Sequence, residues 1–321
     1  MELDQVEAFV AIVRRGGFSR AGAALHLSQP AVSRRLGLIE RELGAPLFER
    51  IRTGVVLTEA GRAFLPHAEA LLASMRDGVE AVGALTGADR GTITVALVGT
   101  LASTALTDCL RAFRERYSEV QLRLRTALSH EVSALVRRGD ATLGLRYGTD
   151  AQAEMLCATI YDEPMIVVCS ARHRLGRSRT VMAKALAGEP WIGFPARPGA
   201  PGESYSSALE QRLAACGLGN AEIIPIDSLT AQKRMVEAGF GLALLPESSV
   251  DEELRTGTLR ALRSPAMRVT IPVVLIRRRR AFLSGAARQL MATLAEWPRG
   301  SRAKTRAHAI VTGSRGRLKP A

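Results

Sequence analysis

The sequence predicts a chain with two kinds of fold: an all-α N-terminal domain containing a winged helix-turn-helix, and a larger α/β domain with two lobes. Apolar residues recur at helical spacing near the start of the chain, whereas from Thr92 onward short apolar runs alternate with helical stretches. Between these parts, a 3-4-3-4-3 apolar repeat is typical of one long helix. We therefore expect a helix-turn-helix domain over 1–61, a linker helix and hinge over 62–91, an α/β domain over 92–297 and a tail over 298–321.

The length and the charge of the chain limit the possible classes of protein. With 321 residues, 47% of them hydrophobic, the chain is long enough for two or three folded units. The net charge of +13 suggests an acidic partner such as nucleic acid. However, seven of the basic residues and no acidic residue lie in 298–321, so the total is weak evidence for a basic surface on the folded part. We expect this tail to be disordered, and it either adds non-specific DNA affinity or has no role.

Several classes of protein are not indicated by the sequence. No apolar run reaches about 18 residues, and the start MELDQVEAF lacks the basic and apolar regions of a signal peptide, so we expect a cytoplasmic protein without membrane contact. The four cysteines are widely spaced and should be reduced, and the five histidines show no metal-binding spacing. There is no G-x-S-x-G elbow and no P-loop. We therefore predict no metal, no cofactor and no enzymatic activity.

The first two helices are predicted from their apolar faces and from the residues that bound them. The first carries Leu3, Val6, Phe9, Val10 and Val13 on one face, and Gly16-Gly17 ends it. Ser19 is the expected N-cap of a short second helix, which directs Ala21, Ala24 and Leu25 inward.

The third helix follows a tight turn and completes a helix-turn-helix over about 18–37. Ser28 is its expected N-cap, and Pro30 fits in the first turn because the missing N–H has no intrahelical partner there. The spacing of the apolar residues predicts one buried stripe, formed by Val32, Leu36, Ile39 and Leu43. The opposite face carries small, polar and basic residues: Pro30, Ser33, Arg34, Gly37 and Arg41. Such a helix can read the major groove of DNA, although a generic amphipathic helix has the same pattern.

A β-hairpin is predicted directly after this helix. The segment APLFERIRTGVVLTEAG, residues 45–61, contains two β-prone stretches on either side of Arg52-Thr53-Gly54, and Thr58 is the expected N-cap of the next helix. We expect this hairpin to act as a wing, with Arg50 and Arg52 placed to meet phosphates.

The linker helix has two possible structural roles. Its repeat suits a two-helix coiled coil between subunits, but the same residues could pack the helix on its own domain. We expect the seam to consist of Leu65, Ala68, Leu72, Met75, Val79 and Val82. The glycines at 83, 87 and 91 mark the exit into a flexible joint.

The α/β part is predicted to form two lobes with a cleft between them. Strands are expected at 92–98, 120–127, 142–148, 163–170, 190–194, 222–227, 241–246 and 268–280, with helices at 103–116, 130–138, 229–238 and 281–296. The chain should cross between lobes near 161–163 and 264–268, so that lobe I comprises 92–161 and 267–297 and lobe II comprises 162–266. Ligands bind such sheets at the carboxyl ends of the strands.

Hydroxyl groups at the predicted strand ends are candidate ligand contacts. Thr100, Leu101 and Ser103 lie where the first strand meets a helix, and Ser129 holds the same place after the second strand. Helix N-termini with hydroxyl groups favour anions. Plain N-capping is an equally good interpretation of Thr100, Ser103, Ser129 and Ser228.

The run AFVAIVRRGGFSRAGAALHLSQPAVSRRLGLIERELGAPLFER…LTEAG closely resembles the DNA-binding domain of the LysR-type transcriptional regulators over residues 2–61. One departure lies in the wing, where Val56 stands at a position that is often basic in the family. The stretches LVRRGDATLGLRYG and MVEAGFGLALLPES are similar to the effector-binding domain of the same family, whose architecture is like that of periplasmic solute-binding proteins.

This resemblance implies a transcription regulator that binds double-stranded DNA and a small-molecule effector. The expected DNA contacts are Ser28, Gln29, Pro30, Ser33, Arg34, Arg35, Arg50 and Arg52, with Arg35 directed toward phosphate. The cleft should also be lined by Arg146, Tyr147, Phe194 and Ser228, and Arg146 together with the helix N-termini favours an anionic effector. The linker helices should pair two subunits in a homodimer or homotetramer, and RNA polymerase is a further possible partner. The alternatives are a solute-binding protein with an incidental helical N-terminal domain, or an enzyme on the two-lobed fold.

Overall fold

The computed structural model of the chain describes residues 1–52, 54–86, 91–195 and 206–296. The predicted basic tail and the hinge glycine at 87 lie outside these residues. Within them, the predicted architecture is confirmed: a helical N-terminal domain with a hairpin, one long helix, and an α/β part built on a mixed sheet.

Three helices form the N-terminal domain: α1 (Leu3–Arg15), α2 (Phe18–Leu25) and α3 (Gln29–Leu43). Gly16 ends α1 as predicted, because its φ of +67° belongs to the left-handed region that glycine adopts without strain. The fully buried Phe9 of α1 lies at the centre of this domain, where its ring packs at 5.4 Å from that of Phe48 and at 5.2 Å from that of Phe64. Helix packing around these rings places α2 and α3 as a helix-turn-helix.

Three details of the helical prediction were wrong. Ser19 lies inside α2, whose N-cap is Gly17. Ala24 is exposed, because α2 packs on its neighbours through the side that carries Ala21 and Leu25. Leu43 is 39% exposed, since it is the last residue of α3 and the chain turns away at the following residue.

The predicted wing is an antiparallel hairpin of β1 (Phe48–Ile51) and β2 (Gly54–Leu57), in which Phe48 pairs with Leu57. Thr58 caps the next helix as predicted, because its Oγ1 accepts a hydrogen bond from the Gly61 N–H at 3.0 Å. The same hydroxyl donates to the Pro46 carbonyl at 2.7 Å, which ties the start of that helix to the beginning of the wing.

Helix α4 (Glu59–Thr86) is the predicted linker helix; its 28 residues span about 42 Å. The predicted seam divides into two parts. Leu65, Ala68 and Leu72 pack into the core of the chain's own N-terminal domain, so they cannot form a dimer seam and that part of the prediction was wrong. The other part of the seam is exposed, together with two leucines that the predicted seam did not include. We call this set the exposed stripe of α4: Leu71, Met75, Val79, Val82 and Leu85.

The helices of the α/β part cover one mixed sheet. They are α5 (Thr104–Arg116), α6 (Ser129–Arg137), α7 (Ser206–Ala215), α8 (Leu229–Glu237), α9 (Asp251–Thr256) and α10 (Gly285–Ala295). The strands are β3 (Gly91–Val98), β4 (Val120–Ala127), β5 (Leu143–Tyr147), β6 (Met155–Ser170), β7 (Trp191–Gly193), β8 (Ile223–Pro225), β9 (Leu242–Pro246), β10 (Leu259–Leu262) and β11 (Val269–Arg278). Two of these bounds differ from the prediction by more than two residues: β6 begins at 155 rather than 163, and α10 begins only after its N-cap, Ser284.

Two long antiparallel strands, β6 and β11, join the two halves of the sheet. The strand order is β4-β3-β5-β11-β6-β9-β7-β8, with β10 added beside β6. The first part of β6 pairs with β11, whereas its last residues pair with β9 and β10. The first predicted crossing, near 161–163, therefore lies within the continuous strand β6, which is a stiffer connection than a loop, whereas the second, near 264–268, falls on the short turn before β11. The residue bounds of the two lobes stay a prediction.

Within the described ranges, no helix combines the length and the apolar character needed to cross a bilayer.

Candidate functional site

The recognition helix presents its N-terminal end to solvent. Ser28 is the N-cap, and its Oγ accepts a hydrogen bond from the Ala31 N–H at 3.3 Å. Pro30 lies in the first turn, where its ring fits the helix. Ser28, Gln29 and Pro30 are exposed and Ser33 is half-buried, so the first two turns of α3 offer polar groups to a partner.

The arginines of α3 differ in what they contact. Arg35 forms an ion pair with Asp4 of α1 at 3.2 Å, and Arg41 donates to the Gly37 carbonyl at 3.1 Å. Arg34 is exposed and makes no hydrogen bond or ion pair with the residues that the structure describes. Its guanidinium is therefore available to a partner without the loss of an existing contact.

The wing lies beside this helix. Arg52 is exposed in its turn, and Val56 is 40% exposed on β2. Arg50 is paired through its backbone with Val55, but its side chain lies outside the described part of the chain, as does Thr53.

An apolar groove runs between the start of α1 and the middle of α4. Its lining includes Met1, Leu3 and Val6 from the N-terminal segment and Leu71 and Met75 from α4. The groove continues into the exposed stripe of α4. Leu71 and Leu85 could have been found from the sequence, because the positions 71, 75, 79, 82 and 85 are three or four residues apart, as on one face of a helix.

Buried and half-buried polar groups meet where β3, β5 and β6 approach the turn after β9. The Thr100 hydroxyl donates to the Tyr147 hydroxyl at 3.1 Å. The Tyr161 hydroxyl donates to Glu163 at 2.9 Å, and Ser248 donates to the same carboxylate from its backbone N–H at 3.0 Å and its hydroxyl at 2.9 Å. We call these five residues the junction cluster. Thr100 and Tyr147 were expected at the cleft; for Tyr161 and Glu163 the signal was polar side chains inside the strand β6, and Ser248 lies in the turn after β9.

Burial governs the protonation of the junction cluster. Burial raises the pKa of Glu163, although the hydrogen bonds from Ser248 and Tyr161 oppose this rise. Burial also raises the pKa of Tyr147, and burial together with the nearby Glu163 carboxylate raises the pKa of Tyr161. Both phenols therefore stay protonated at neutral pH and can act as hydrogen-bond donors.

Two of the predicted effector contacts serve as helix caps. Ser103 Oγ accepts from the Leu106 N–H and Ser228 Oγ from the Ala231 N–H, both at 3.4 Å. Ser129 is not a helix cap, because the N-cap residue of α6 is Leu128. The Leu128 N–H donates a hydrogen bond to the Glu131 carboxylate at 2.9 Å. Among the remaining predicted effector contacts, Thr100, Leu101 and Ser129 are buried. Phe194, directly after β7, is half-buried.

Arg146 does not provide a free positive charge. Its guanidinium donates to Ser133 Oγ at 2.5 Å and to Asp150 at 3.3 Å, and its Nε donates to the Tyr147 carbonyl at 3.2 Å. Since successive side chains of a strand point to opposite faces, Tyr147 meets Thr100 while Arg146 turns toward α6. Arg146 therefore offers no unpaired positive charge to an anionic effector.

The described residues contain no cluster of three or more His, Cys, Asp or Glu side chains that could hold a metal ion. The four cysteines are free, and burial raises the pKa of the Cys169 thiol to about 11. That thiol is therefore protonated at neutral pH and unreactive.

Comparison with known protein families gives two matches that together span nearly the whole described chain. Residues 3–62 match the model described as "Bacterial regulatory helix-turn-helix protein, lysR family". Residues 86–299 match the model described as "LysR substrate binding domain".

Curated relatives agree with these matches. The RuBisCO operon transcriptional regulator of Allochromatium vinosum is 29% identical over 259 residues, which cover 81% of this chain and 84% of that protein. The HTH-type transcriptional regulator CfxR of Cupriavidus necator is also 29% identical over 259 residues, covering 81% of this chain and 80% of CfxR.

Solved structures share the fold over 92–93% of the chain. A full-length OxyR variant from Pseudomonas aeruginosa has a TM-score of 0.67 at 20% identity, covering 92% of this chain and 97% of OxyR. Full-length CbnR, solved in complex with its target DNA, has a TM-score of 0.62 at 23% identity, covering 93% of this chain and all of CbnR.

Proposed function

Because the chain belongs to the LysR family of bacterial helix-turn-helix regulators, we propose that it regulates transcription by reading double-stranded DNA with α3, under the control of a small molecule bound between its α/β lobes. The observation that carries this proposal is the exposed N-terminal end of α3, where Ser28 caps the helix and Arg34 has no competing contact among the described residues. A role as a solute-binding protein does not explain these features.

In this proposal the polar residues of α3 enter the major groove, where Gln29 can pair with adenine and Arg34 with guanine. Pro30 and Ser33 lie close to the base edges, and Ser28 holds the first turn in place. Arg35 would have to exchange Asp4 for a phosphate group, at little cost because both partners are partly exposed. Arg50 and Arg52 would add phosphate contacts from the wing.

The exposed stripe of α4 is the proposed dimer seam. Pairing of two copies through Met75, Val79 and Val82, extended by Leu71 and Leu85, would cover apolar surface that is otherwise in water. A dimer presents two recognition helices, whose separation sets the spacing of DNA half-sites. We propose a homodimer or a homotetramer that works in the cytoplasm and contacts RNA polymerase.

The effector is proposed to bind between the lobes, beside the junction cluster. Thr100, Ser129 and Phe194 are the contacts that we retain, and Ser103 and Ser228 act through the helix N-termini that they cap. Leu101 contributes apolar packing, and Arg146 is left out because its charge is neutralised within the protein. A ligand that closes the cleft shifts the population of subunit arrangements only as far as it prefers one of them.

Selection from a random pool of duplex DNA tests the proposed function. We expect the full chain to enrich one sequence with two related half-sites, because two copies of α3 read it together. Equal recovery of all sequences would show that α3 is not a sequence reader.

Replacing Ser28 by alanine is expected to destabilise the N-terminal domain by about 1 kcal/mol, because the Ala31 N–H loses its acceptor. Ser28→Asn is the matched control, since asparagine caps helices as well as serine does. Urea denaturation of both variants measures the difference. Equal stability of Ser28→Ala and the wild type would mean that this cap contributes nothing.

Deletion of residues 299–321 is expected to reduce the salt dependence of DNA binding. The segment carries seven basic residues, and each phosphate that is neutralised releases counterions. The measurement is the slope of log K against log salt concentration for the full and the shortened chain. An unchanged slope would show that the tail does not contact DNA.

A further inference from the structure

A network of ion pairs connects the helix-turn-helix domain to the α/β part of the same chain. Arg14, at the end of α1, lies 3.3 Å from Asp140 and 3.8 Å from Glu69 of α4. Arg138, in the turn after α6, lies 3.0 Å from Asp140 and 3.8 Å from the same Glu69 carboxylate. Asp140 and Glu69 thus each take part in ion pairs with arginines from both sides of the interface.

Arg76 of α4 adds two contacts to this network. Its guanidinium lies 3.6 Å from Asp140 and donates a hydrogen bond to the backbone carbonyl of Arg138. Glu69 is only 5% exposed, and its burial raises the pKa of the carboxyl group, which the neighbouring Arg138 and Arg14 oppose. Removing one arginine would leave the buried Glu69 carboxylate with fewer compensating charges.

A second contact lies about two turns further along α4. Asp77 accepts two hydrogen bonds from the guanidinium of Arg278, at the end of β11, with distances of 2.6 and 2.9 Å. Both side chains are mostly buried. Such a two-point contact fixes the orientation of the partners as well as their distance.

Between the two contacts the backbone comes close to α4. Gly139, with a φ of +71°, lies where an added Cβ atom would be 3.2 Å from the Cβ of Ala73 and 3.3 Å from nitrogen atoms of Arg278 and Arg76. Ala73 is completely buried as a result of this packing. The turn after α6 is therefore seated directly on the linker helix.

We propose that these contacts form an interdomain lock, which holds the helix-turn-helix domain and lobe I of one chain as a single rigid arm. The lock consists of the residues described above: Arg14, Glu69, Arg76, Asp77, Arg138, Gly139, Asp140 and Arg278. The covalent connection through residues 87–90 then does not set the domain orientation by itself. Rather, the orientation follows from charges that meet across the interface.

The lock has a consequence for regulation, which rests on the proposed function. The lock joins α4 to the turn after α6 and to the end of β11, a strand that pairs with β6 across the first predicted crossing between the lobes. Because lobe I and α4 then move as one body, a movement of lobe II relative to lobe I is equally a movement relative to α4 and to the exposed stripe that pairs two subunits. Packed and charged contacts of this kind can carry coupling between two sites.

Hydrogen exchange of the full chain tests the lock. In Asp77→Arg, two arginines face each other, and we expect the amides of residues 135–141 and of the middle of α4 to exchange about tenfold faster. The charge-swapped variant Asp77→Arg/Arg278→Asp should return the exchange to the wild-type rate. Asp108→Arg is the matched control, because its ion pair with Arg111 at 2.9 Å lies on the surface within α5.

A neutral variant, Asp77→Asn, covers the case in which Asp77→Arg does not fold, and we expect it to exchange faster by a smaller factor. Wild-type exchange in both Asp77 variants would overturn the lock, and so would faster exchange that the charge swap leaves uncorrected. Sequence-selective DNA binding, measured on the same samples, tests the proposed function separately. If selectivity persists while exchange is unchanged, only the lock is rejected.

Discussion

The variant Arg34→Ala is expected to bind its specific DNA sequence more weakly by about 1–3 kcal/mol, and to lose base preference at one position of each half-site. The reason is that Arg34 is exposed on the outer face of α3 and makes no contact with the described part of the protein, so its guanidinium can form two hydrogen bonds to one guanine. Competition binding with a panel of single-base variants of the selected site measures both effects.

Arg41→Ala is the control for the loss of a positive charge on the same helix. Arg41 lies about two turns beyond Arg34, away from the exposed N-terminal end of α3. Because it is already hydrogen-bonded to Gly37, we expect base preference to be retained in this variant. Arg34 would not be a base reader if Arg34→Ala lowered affinity equally for every sequence in the panel. Such a result would point to a phosphate contact, which carries no sequence information.

Val79→Asp is expected to separate the proposed dimer. Val79 is 68% exposed in the single chain, so the substitution should leave the fold of the monomer intact. In a dimer the aspartate would be buried without a partner, at a cost of about 3 kcal/mol or more, which corresponds to roughly 100-fold weaker association. Affinity for a two-half-site DNA should fall by a factor of about 100 to 10,000, because the advantage of binding both half-sites together is lost.

Analytical ultracentrifugation and DNA binding on the same samples measure both parts of this prediction. Met182→Asp serves as the control, since Met182 is similarly exposed, at 67%, but lies far from α4 in the sequence, in the α/β part. A dimer that is equally stable in the wild type and in Val79→Asp would exclude the exposed stripe as the seam.

The sequence was sufficient wherever local chemistry decides the structure. The capping of α3 by Ser28, the place of Pro30 in its first turn and the end of α1 at Gly16 depend on residues that lie a few positions apart, and the structure confirms each of them. The alternation of strands and helices after Thr92 is local in the same sense, because each apolar run can be recognised without knowledge of its neighbours.

The errors arose where one pattern is compatible with two environments. The repeat along α4 is equally apolar at Leu72 and at Val79, but only the fold shows that Leu72 packs on its own domain and Val79 does not. Arg146, near the end of a predicted strand, was expected to favour an anion, yet its guanidinium already contacts Asp150 and Ser133. Whether a residue is buried depends on which other helices and strands pack against its own. The spacing of residues along one helix or strand does not identify those neighbours.

The sequence by itself thus determined the helix-turn-helix, the long linker helix, the α/β alternation and the family, because each depends on short-range patterns or on a specific run of residues. Only the tertiary structure decided which half of α4 is exposed, that Tyr161, Glu163 and Ser248 meet at one point, and that Asp77 pairs with Arg278. The Glu163–Ser248 and Asp77–Arg278 contacts join residues separated by 85 and 201 positions. Their partners are chosen by the path of the chain in space, which no local propensity specifies.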